Sequence, residues 1–142
     1  MHDRFARLAS LAMLFVLAIA GGCRQGGLSR KVVFGSVTCG GEKVAAGTVR
    51  FVPVENTPGP ATVALIVNGQ YRAENRGGVP IGRHRVEVSA RRLTGRKVKL
   101  PEGQMADETA TTGPEIYAGP QSPLIVEVKA DGDGRIDLSI PQ

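Results

Sequence analysis

The residues of this chain whose side chains suit catalysis or metal binding are few, and the first of them is His84. Apart from His2, it is the only histidine in the sequence. A zinc site gathers several His, Cys or carboxylate ligands, and a serine hydrolase places one histidine beside a serine and an acid. His84, Val86 and Val88 occur at every second position, so in a strand their side chains lie on the same face. We therefore expect a structural role for His84.

The run Asp131-Gly132-Asp133-Gly134 has the spacing that begins a calcium-binding loop. An EF-hand also needs further oxygen ligands and a distal glutamate, and after this run only Asp137 remains. We interpret the run as a hairpin turn. The glycine pairs elsewhere do not open a helix after a strand, as a phosphate loop requires. The sequence thus predicts no catalytic residue, no metal and no cofactor, and we expect that the protein is not an enzyme.

A cluster of cations follows residue 90. The segment 91–122 lacks periodicity and is expected to form a long loop, basic in its first part and acidic in its second. Its possible surface-contact residues are Arg91, Arg92, Arg96, Lys97 and Lys99. Two interpretations stay open: the basic part contacts anionic lipid heads or acidic envelope polymer, or the two halves neutralise each other. Nucleic acid is disfavoured, because the net charge of +5 is spread along the chain and tryptophan is absent.

The N-terminus has the pattern of an export signal. Arg4 and Arg7 precede an apolar run from Leu8 to Ala20, and small residues lead to Cys23. A basic start, a short apolar run and small residues are typical of a secretory leader. The run is shorter than the roughly 20 residues that span a bilayer. We expect residues 1–22 to be a signal peptide rather than a permanent transmembrane helix.

The small residues directly before Cys23 resemble the lipobox of bacterial lipoproteins, with Ala20 where that family usually has Leu. The resemblance implies cleavage before Cys23 and lipidation of its thiol, followed by a tether over 23–30. The protein would then be exported and lipid-anchored to a cell membrane, on its periplasmic or outer-membrane face. The alternative is an ordinary cleaved signal with an incidental cysteine. Cys39, in a predicted turn, would be the remaining thiol and structurally incidental.

Residues 31–142 read as an all-β domain of about seven short strands separated by Gly, Pro, Asn and Asp. The nearly continuous apolar run 61–67 predicts a central strand buried on both faces. Asn68-Gly69 predicts a two-residue hairpin, and the last two runs, 124–128 and 136–140, predict a closing hairpin. A single antiparallel β-sandwich follows. Its predicted core comprises Val37, Val49, Phe51, Val86, Val88, Val126 and Leu138.

Three blocks carry a family resemblance: VVFGSVTCGGEKVAAGTVRFVP, NGQYRAENRGGVPIGRHRVEV and GPEIYAGPQSPLIVEVKADGDGRIDLSI. Together they resemble the small lipoproteins abundant in planctomycetes, whose domain is transthyretin-like (prealbumin-like, with an Ig-like sandwich) or carboxypeptidase regulatory-like. His84 stands where these proteins usually have Tyr. The resemblance implies a carboxypeptidase regulatory-like β-sandwich over 31–142, without the catalytic domain of a carboxypeptidase.

The expected function is that of a non-catalytic, lipid-anchored cell-envelope module with structural or protein-interaction roles. Its expected partners are the membrane, through Cys23, and an envelope protein or an acidic polymer. The alternative is a module that binds a small ligand or a glycan. Glycan sites use exposed aromatic platforms, so a solvent-exposed cluster of Tyr71 and Tyr117 would favour the alternative.

Overall fold

A computed structural model of the chain describes residues 27–142. The signal peptide expected over 1–22, the lipidation site Cys23 and the first residues of the tether lie outside the described residues. The described part consists mostly of β-strands, as the sequence predicts, with two short 3-10 turns at Asn75–Gly77 and Glu115–Ala118. Within it, no helix has the length and the hydropathy that crossing a membrane requires.

The strands follow one another in eleven segments, several of them only two residues long. They are β1 (Arg30–Lys31), β2 (Val33–Cys39), β3 (Glu42–Lys43), β4 (Ala46–Pro53), β5 (Thr62–Val67), β6 (Gln70–Ala73), β7 (Val79–Pro80), β8 (Gly82–Lys99), β9 (Met105–Thr112), β10 (Ile125–Val128) and β11 (Leu138–Ile140).

The main sheet has the order β10-β8-β4-β5-β6-β2-β11. Its pairs are antiparallel except for β11, which runs parallel to β2. The short β3 is paired with β2, and β9 is paired with β8 beyond the end of β10. A separate two-stranded ribbon of β1 and β7 lies where the described chain begins.

The hairpin between β5 and β6 confirms its prediction. Val67 lies opposite Gln70, so the loop has two residues. Asn68 and Gly69 both have positive φ, at 50° and 77°. This conformation belongs to a type I′ turn, whose twist suits antiparallel strands and which favours Asn-Gly.

The core lies on the inner face of the main sheet, where alternate side chains of each strand are buried. Phe51 is fully buried and contacts the rings of Tyr71 and His84. Of the predicted core, Val126 is only partly buried and packs against the cluster, while the others are buried. The period-two alternation thus identified the correct inner face of β2, β4 and β8.

The interpretation of the run 61–67 as a strand buried on both faces is wrong. Thr62, Ala64 and Ile66 are buried, but the alternate residues of β5 face solvent. A continuous apolar run cannot distinguish a strand covered on both sides from one whose outer face is apolar but uncovered.

The predicted closing hairpin is also wrong. β10 pairs with β8 at one edge of the main sheet, whereas β11 pairs with β2 at the other. Residues 129–137 therefore cross from one edge to the other and do not form a hairpin turn. Alternation predicts the face of each strand, but it carries no information about which strands are neighbours.

The long loop expected over 91–122 is largely a β-hairpin. β8 continues to Lys99, and β9 returns along it from Met105. At the turn, Gly103 has a φ of 86°, and Leu100 donates its backbone N–H to Gln104 at 2.7 Å. We call residues 92–110 the arm, because β4 accompanies β8 only as far as Arg91. Both faces of the arm are polar or exposed, so the sequence lacked the alternation that marks a half-buried strand.

Candidate functional site

The outer face of the main sheet carries three large apolar side chains in a row. Val63, Leu65 and Val67 project outward from β5 and are 43%, 70% and 62% exposed. We call these three residues the β5 stripe. Isolated apolar residues are common on protein surfaces, but a contiguous apolar patch marks an interaction site.

A shallow groove of about 410 Å³ runs along one side of the β5 stripe. Leu65 and Val67 form its apolar side, and Arg91 and Thr109 lie across from them. The strand register explains this arrangement, because Ala46 of β4 pairs with Val67 on one side and with Arg91 on the other. Small β4 residues thus separate the stripe from the base of the arm and leave a depression between them.

A second, wider hollow of about 840 Å³ lies on the other side of the stripe, over β6 and β2. Its floor includes Phe34, but the guanidinium of Arg72 lies 5.8 Å from the centre of that ring. Arg72 also pairs with Glu74 at 2.6 Å. The ring of Phe34 and the guanidinium of Arg72 therefore already interact with each other, which makes this hollow less available to a ligand than the groove.

The charges beside the groove leave a positive excess. Glu87 is nearly buried on the outer face and accepts hydrogen bonds from Arg50 at 3.2 Å and from Arg85 at 3.0 Å. One carboxylate thus serves two guanidinium groups. Arg91 pairs with no acidic side chain within residues 27–142, and it lies on the same face. A cationic rim therefore adjoins the apolar stripe.

The arm does not hold the five candidate cations together. Cross-strand register places Arg91, Lys97 and Lys99 on the outer face, with Leu93 and Met105 among them. Arg92 lies opposite Ala110 on the other face. The sequence predicted one basic cluster, but a strand alternates its side chains between two faces.

Part of the positive charge of the arm is neutralised within the arm. Arg96 lies 3.7 Å from Glu108, and Lys97 lies 3.5 Å from Asp107. Exposed ion pairs of this kind contribute about 0–1 kcal/mol each and are screened by salt. The interpretation in which the two halves of the segment neutralise each other is thus supported for these two cations.

The described N-terminus and the tip of the arm lie at opposite ends of β8. The carbonyl of Ser29 accepts the backbone N–H of Ile81, next to the first residue of β8. β8 then continues for 18 residues, which at about 3.3 Å per residue spans roughly 55 Å. The end of the domain that adjoins Cys23 in sequence is therefore remote from Lys99.

His84 is fully buried on the inner face. Its Nδ1 lies 3.1 Å from the carbonyl oxygen of Gly82, and Nε2 has no hydrogen-bond partner among the described residues. Since a carbonyl oxygen only accepts, Nδ1 carries the hydrogen in the neutral ring. Burial lowers the pKa of His84, and the Gly82 hydrogen bond offsets this effect in part. This position gives the ring no access to a substrate.

The two tyrosines of the chain, Tyr71 and Tyr117, do not form an exposed cluster. Tyr71 is buried and donates its hydroxyl to the carbonyl oxygen of Ile136 at 2.7 Å. Burial raises the pKa of its phenol far above the usual range. Tyr117 is partly buried and packs against the core. The arrangement that would favour a glycan platform is therefore absent from residues 27–142.

Cys39 lies at the end of β2 rather than in a turn, and it is buried. Its thiol contacts the carbonyl oxygen of Pro141 at 3.4 Å. In the described part of the chain, no three His, Cys, Asp or Glu side chains are grouped as a metal site would require. Comparison of the chain with protein-family models, with curated proteins and with solved structures finds no match.

The β5 stripe and the groove were missed by sequence reasoning. The sequence shows that Val63, Leu65 and Val67 are apolar, but the apolar run by itself does not show that this face of the strand is uncovered. A strand whose two faces are both apolar needs a layer on each side, and a chain of this length has few elements to supply a second cover. Counting the available layers would have indicated that one face stays exposed.

Proposed function

We propose that the protein is a non-catalytic, lipid-anchored module of the cell envelope that binds another envelope protein. Cys23 would carry the lipid and 23–30 the tether, with the β-domain exposed on the periplasmic or outer-membrane face. The domain would be a carboxypeptidase regulatory-like, transthyretin-like sandwich of about seven strands. The buried alternate residues on the inner face and the antiparallel pairing of most strands support this fold.

The observation that carries the interaction role is the β5 stripe. Leu65 is 70% exposed in the middle strand of a five-strand stretch, where it is flanked by β4 and β6. Burying apolar area contributes about 25 cal/mol per Å². A partner that covers the stripe and removes it from water therefore gains binding free energy. Together with the groove beside it, the stripe has the apolar centre and polar rim of a protein interface.

Binding of a small ligand or a glycan receives less support. The phenol of Tyr71 is buried, and Arg72 covers the ring of Phe34. The groove is open and linear, whereas sites for small ligands enclose most of the ligand's surface.

The anchor is tested by expressing the full chain in a host that processes lipoproteins and by measuring the mass of the mature N-terminus. We expect cleavage before Cys23 and the added mass of acyl chains. Two or more chains make membrane attachment stable, at about 0.8 kcal/mol per buried CH₂. An unmodified Cys23, or cleavage at another position, contradicts the proposed anchor.

The interaction role is tested in living cells by placing a photo-crosslinking residue at position 65 and, as a control, at position 116. Ile116 is also exposed, at 48%, but it lies in a 3-10 turn away from β5. We expect a discrete protein adduct from position 65 that position 116 does not give. The same adducts from both positions, or none from either, contradict a binding role for the stripe.

A further inference from the structure

The groove beside the β5 stripe has an apolar side and a cationic side, and these two features indicate which kind of ligand would bind it. We propose that it receives an extended segment of a partner protein in which acidic residues alternate with aliphatic ones. This inference deepens the proposed function, because it assigns the partner's chemistry, and its orientation argument rests on the lipid at Cys23.

Leu65 and Val67 are the apolar residues of the stripe that line the groove, and Val63 continues their row along β5 beyond it. From Val63 to Val67 the outward side chains recur at every second residue, so they span about 13 Å along the strand. An extended segment presents side chains to one face at the same period. Alternate aliphatic side chains of such a segment would therefore meet Val63, Leu65 and Val67 in register.

The polar part of the groove favours negative charge. Arg91 lies across from the stripe without an acidic partner in the described range, and the Arg50–Glu87–Arg85 set beside it retains one excess positive charge. Thr48 and Ser89 add hydroxyl groups between them. Charge-assisted hydrogen bonds from a guanidinium to a carboxylate are stronger than neutral ones, so acidic residues suit this side.

The outer face of the arm continues the same chemistry. Leu93 and Met105 are 54% and 58% exposed and lie on the face that carries Lys97 and Lys99. Thr109, which pairs with Leu93, is part of the groove. On this face Lys97 pairs with Asp107 at 3.5 Å, so Lys99 is the cation left without an acidic partner in the described range. A segment longer than the stripe would therefore meet Leu93, Met105 and Lys99 on the arm.

The position of the groove favours a protein over the anchoring membrane. Its residues Ala46, Arg91 and Val67 lie toward the arm, whereas the described chain begins near Gly82 at the other end of β8. Only a short tether separates Cys23 from that beginning. A lipid at Cys23 would hold the near end of the domain at the bilayer and leave the groove and the arm facing away from it.

The test uses the full chain, purified in detergent from whole-cell lysate whether or not it is lipidated, and a random twelve-residue peptide library displayed on phage as the probe. We expect enriched peptides to combine Asp or Glu with Leu, Ile or Val. Their binding should weaken at least tenfold for Leu65→Ser and for Arg91→Glu. The controls Ile116→Ser and Lys129→Glu change an exposed apolar residue and an exposed cation elsewhere, and they should change binding less than twofold.

Three outcomes overturn the proposal: no enriched peptide, enriched peptides without acidic residues, or equal binding by the stripe variants and their controls. A fourth is displacement of the peptide by short-chain phosphatidylglycerol with the same sensitivity to Arg91→Glu, which would assign the groove to lipid. Failure of the anchor is separate, because the mass of the N-terminus reports it and the peptide assay in detergent does not depend on it.

Discussion

The imidazole of His84 meets the ring of Phe51 edge-on, with their centroids 6.3 Å apart and their planes at 77°. Aromatic rings favour this geometry because a positive edge faces a negative ring surface. The contact places an ionisable group in the centre of an apolar cluster. Because burial lowers the pKa of His84, the folded state favours the neutral ring.

Acid should therefore destabilise the fold through His84. Since the folded pKa lies below the unfolded value of 6.5, the contribution of His84 to stability is complete above that value. It is lost as the pH falls through the folded pKa. We expect wild type to lose more free energy of unfolding than His84→Phe between pH 7.5 and pH 5, measured by urea denaturation. Parallel losses in the two proteins would contradict this explanation.

A pair of alanine substitutions separates the two faces of the sheet. Phe51 is fully buried, so Phe51→Ala should cost about 3–5 kcal/mol of unfolding free energy through lost burial and a cavity. Leu65 is 70% exposed, and Leu65→Ala should change stability by less than about 0.5 kcal/mol. Denaturant titration measures both. A small loss at Phe51 or a large one at Leu65 would reverse the assignment of the faces.

The arm should be removable without loss of the fold. None of its residues is buried, and beyond Arg91 β8 is paired only with β9. Replacing residues 93–109 by Asn-Gly joins Arg92 to Ala110, which lie opposite each other, through a favoured two-residue turn. We expect the unfolding free energy to change by less than about 1 kcal/mol, since isolated two-stranded ribbons contribute little stability.

The same excision also tests the groove, because it removes Thr109 but keeps Arg91 and the β5 stripe. Peptide binding should weaken and remain sensitive to Leu65→Ser. A large loss of stability would mean that the arm packs on the core, which contradicts the exposure of its residues.

The sequence predicted the inner face of the fold well, because burial on one side produces period-two alternation. Val37, Val49, Val86 and Leu138 were assigned to the core from this pattern and are buried. The Asn68-Gly69 turn was predictable for a local reason, since both residues tolerate positive φ.

The arm and the strand order were not predictable in the same way. Within the arm, β8 and β9 have only exposed or partly buried residues, so hydrophobic periodicity gives no signal. Parallel pairing of β11 with β2 depends on contacts between residues about a hundred positions apart. The sequence identified the cations of the candidate site as basic residues. Which face of the arm each cation occupies follows only from the pairing register of β8 with β9.

Asp137, just before β11, accepts hydrogen bonds from Ser36 of β2, and its carboxylate gives a second way in which stability depends on pH. Its Oδ1 accepts the backbone N–H of Ser36 at 2.7 Å and the Ser36 hydroxyl at 2.9 Å, while Oδ2 lies 3.0 Å from Nε of Arg135. These bonds, that of the Ser36 backbone first, lower the pKa of Asp137 from 3.8 to about 2. The ionised carboxylate is thus the form that the folded state favours.

The stabilisation by Asp137 should be complete above pH 3.8 and lost as the pH falls through about 2, because the folded pKa is the lower one. We expect Asp137→Asn to be less stable than wild type at pH 7 and the difference to shrink as the pH approaches 2, measured by urea denaturation. Asp131→Asn is the matched control, since Asp131 makes no ion pair within the described part of the chain. It should leave stability unchanged across this range. A difference between wild type and Asp137→Asn that stays constant down to pH 2 would show that the carboxylate does not act through its charge.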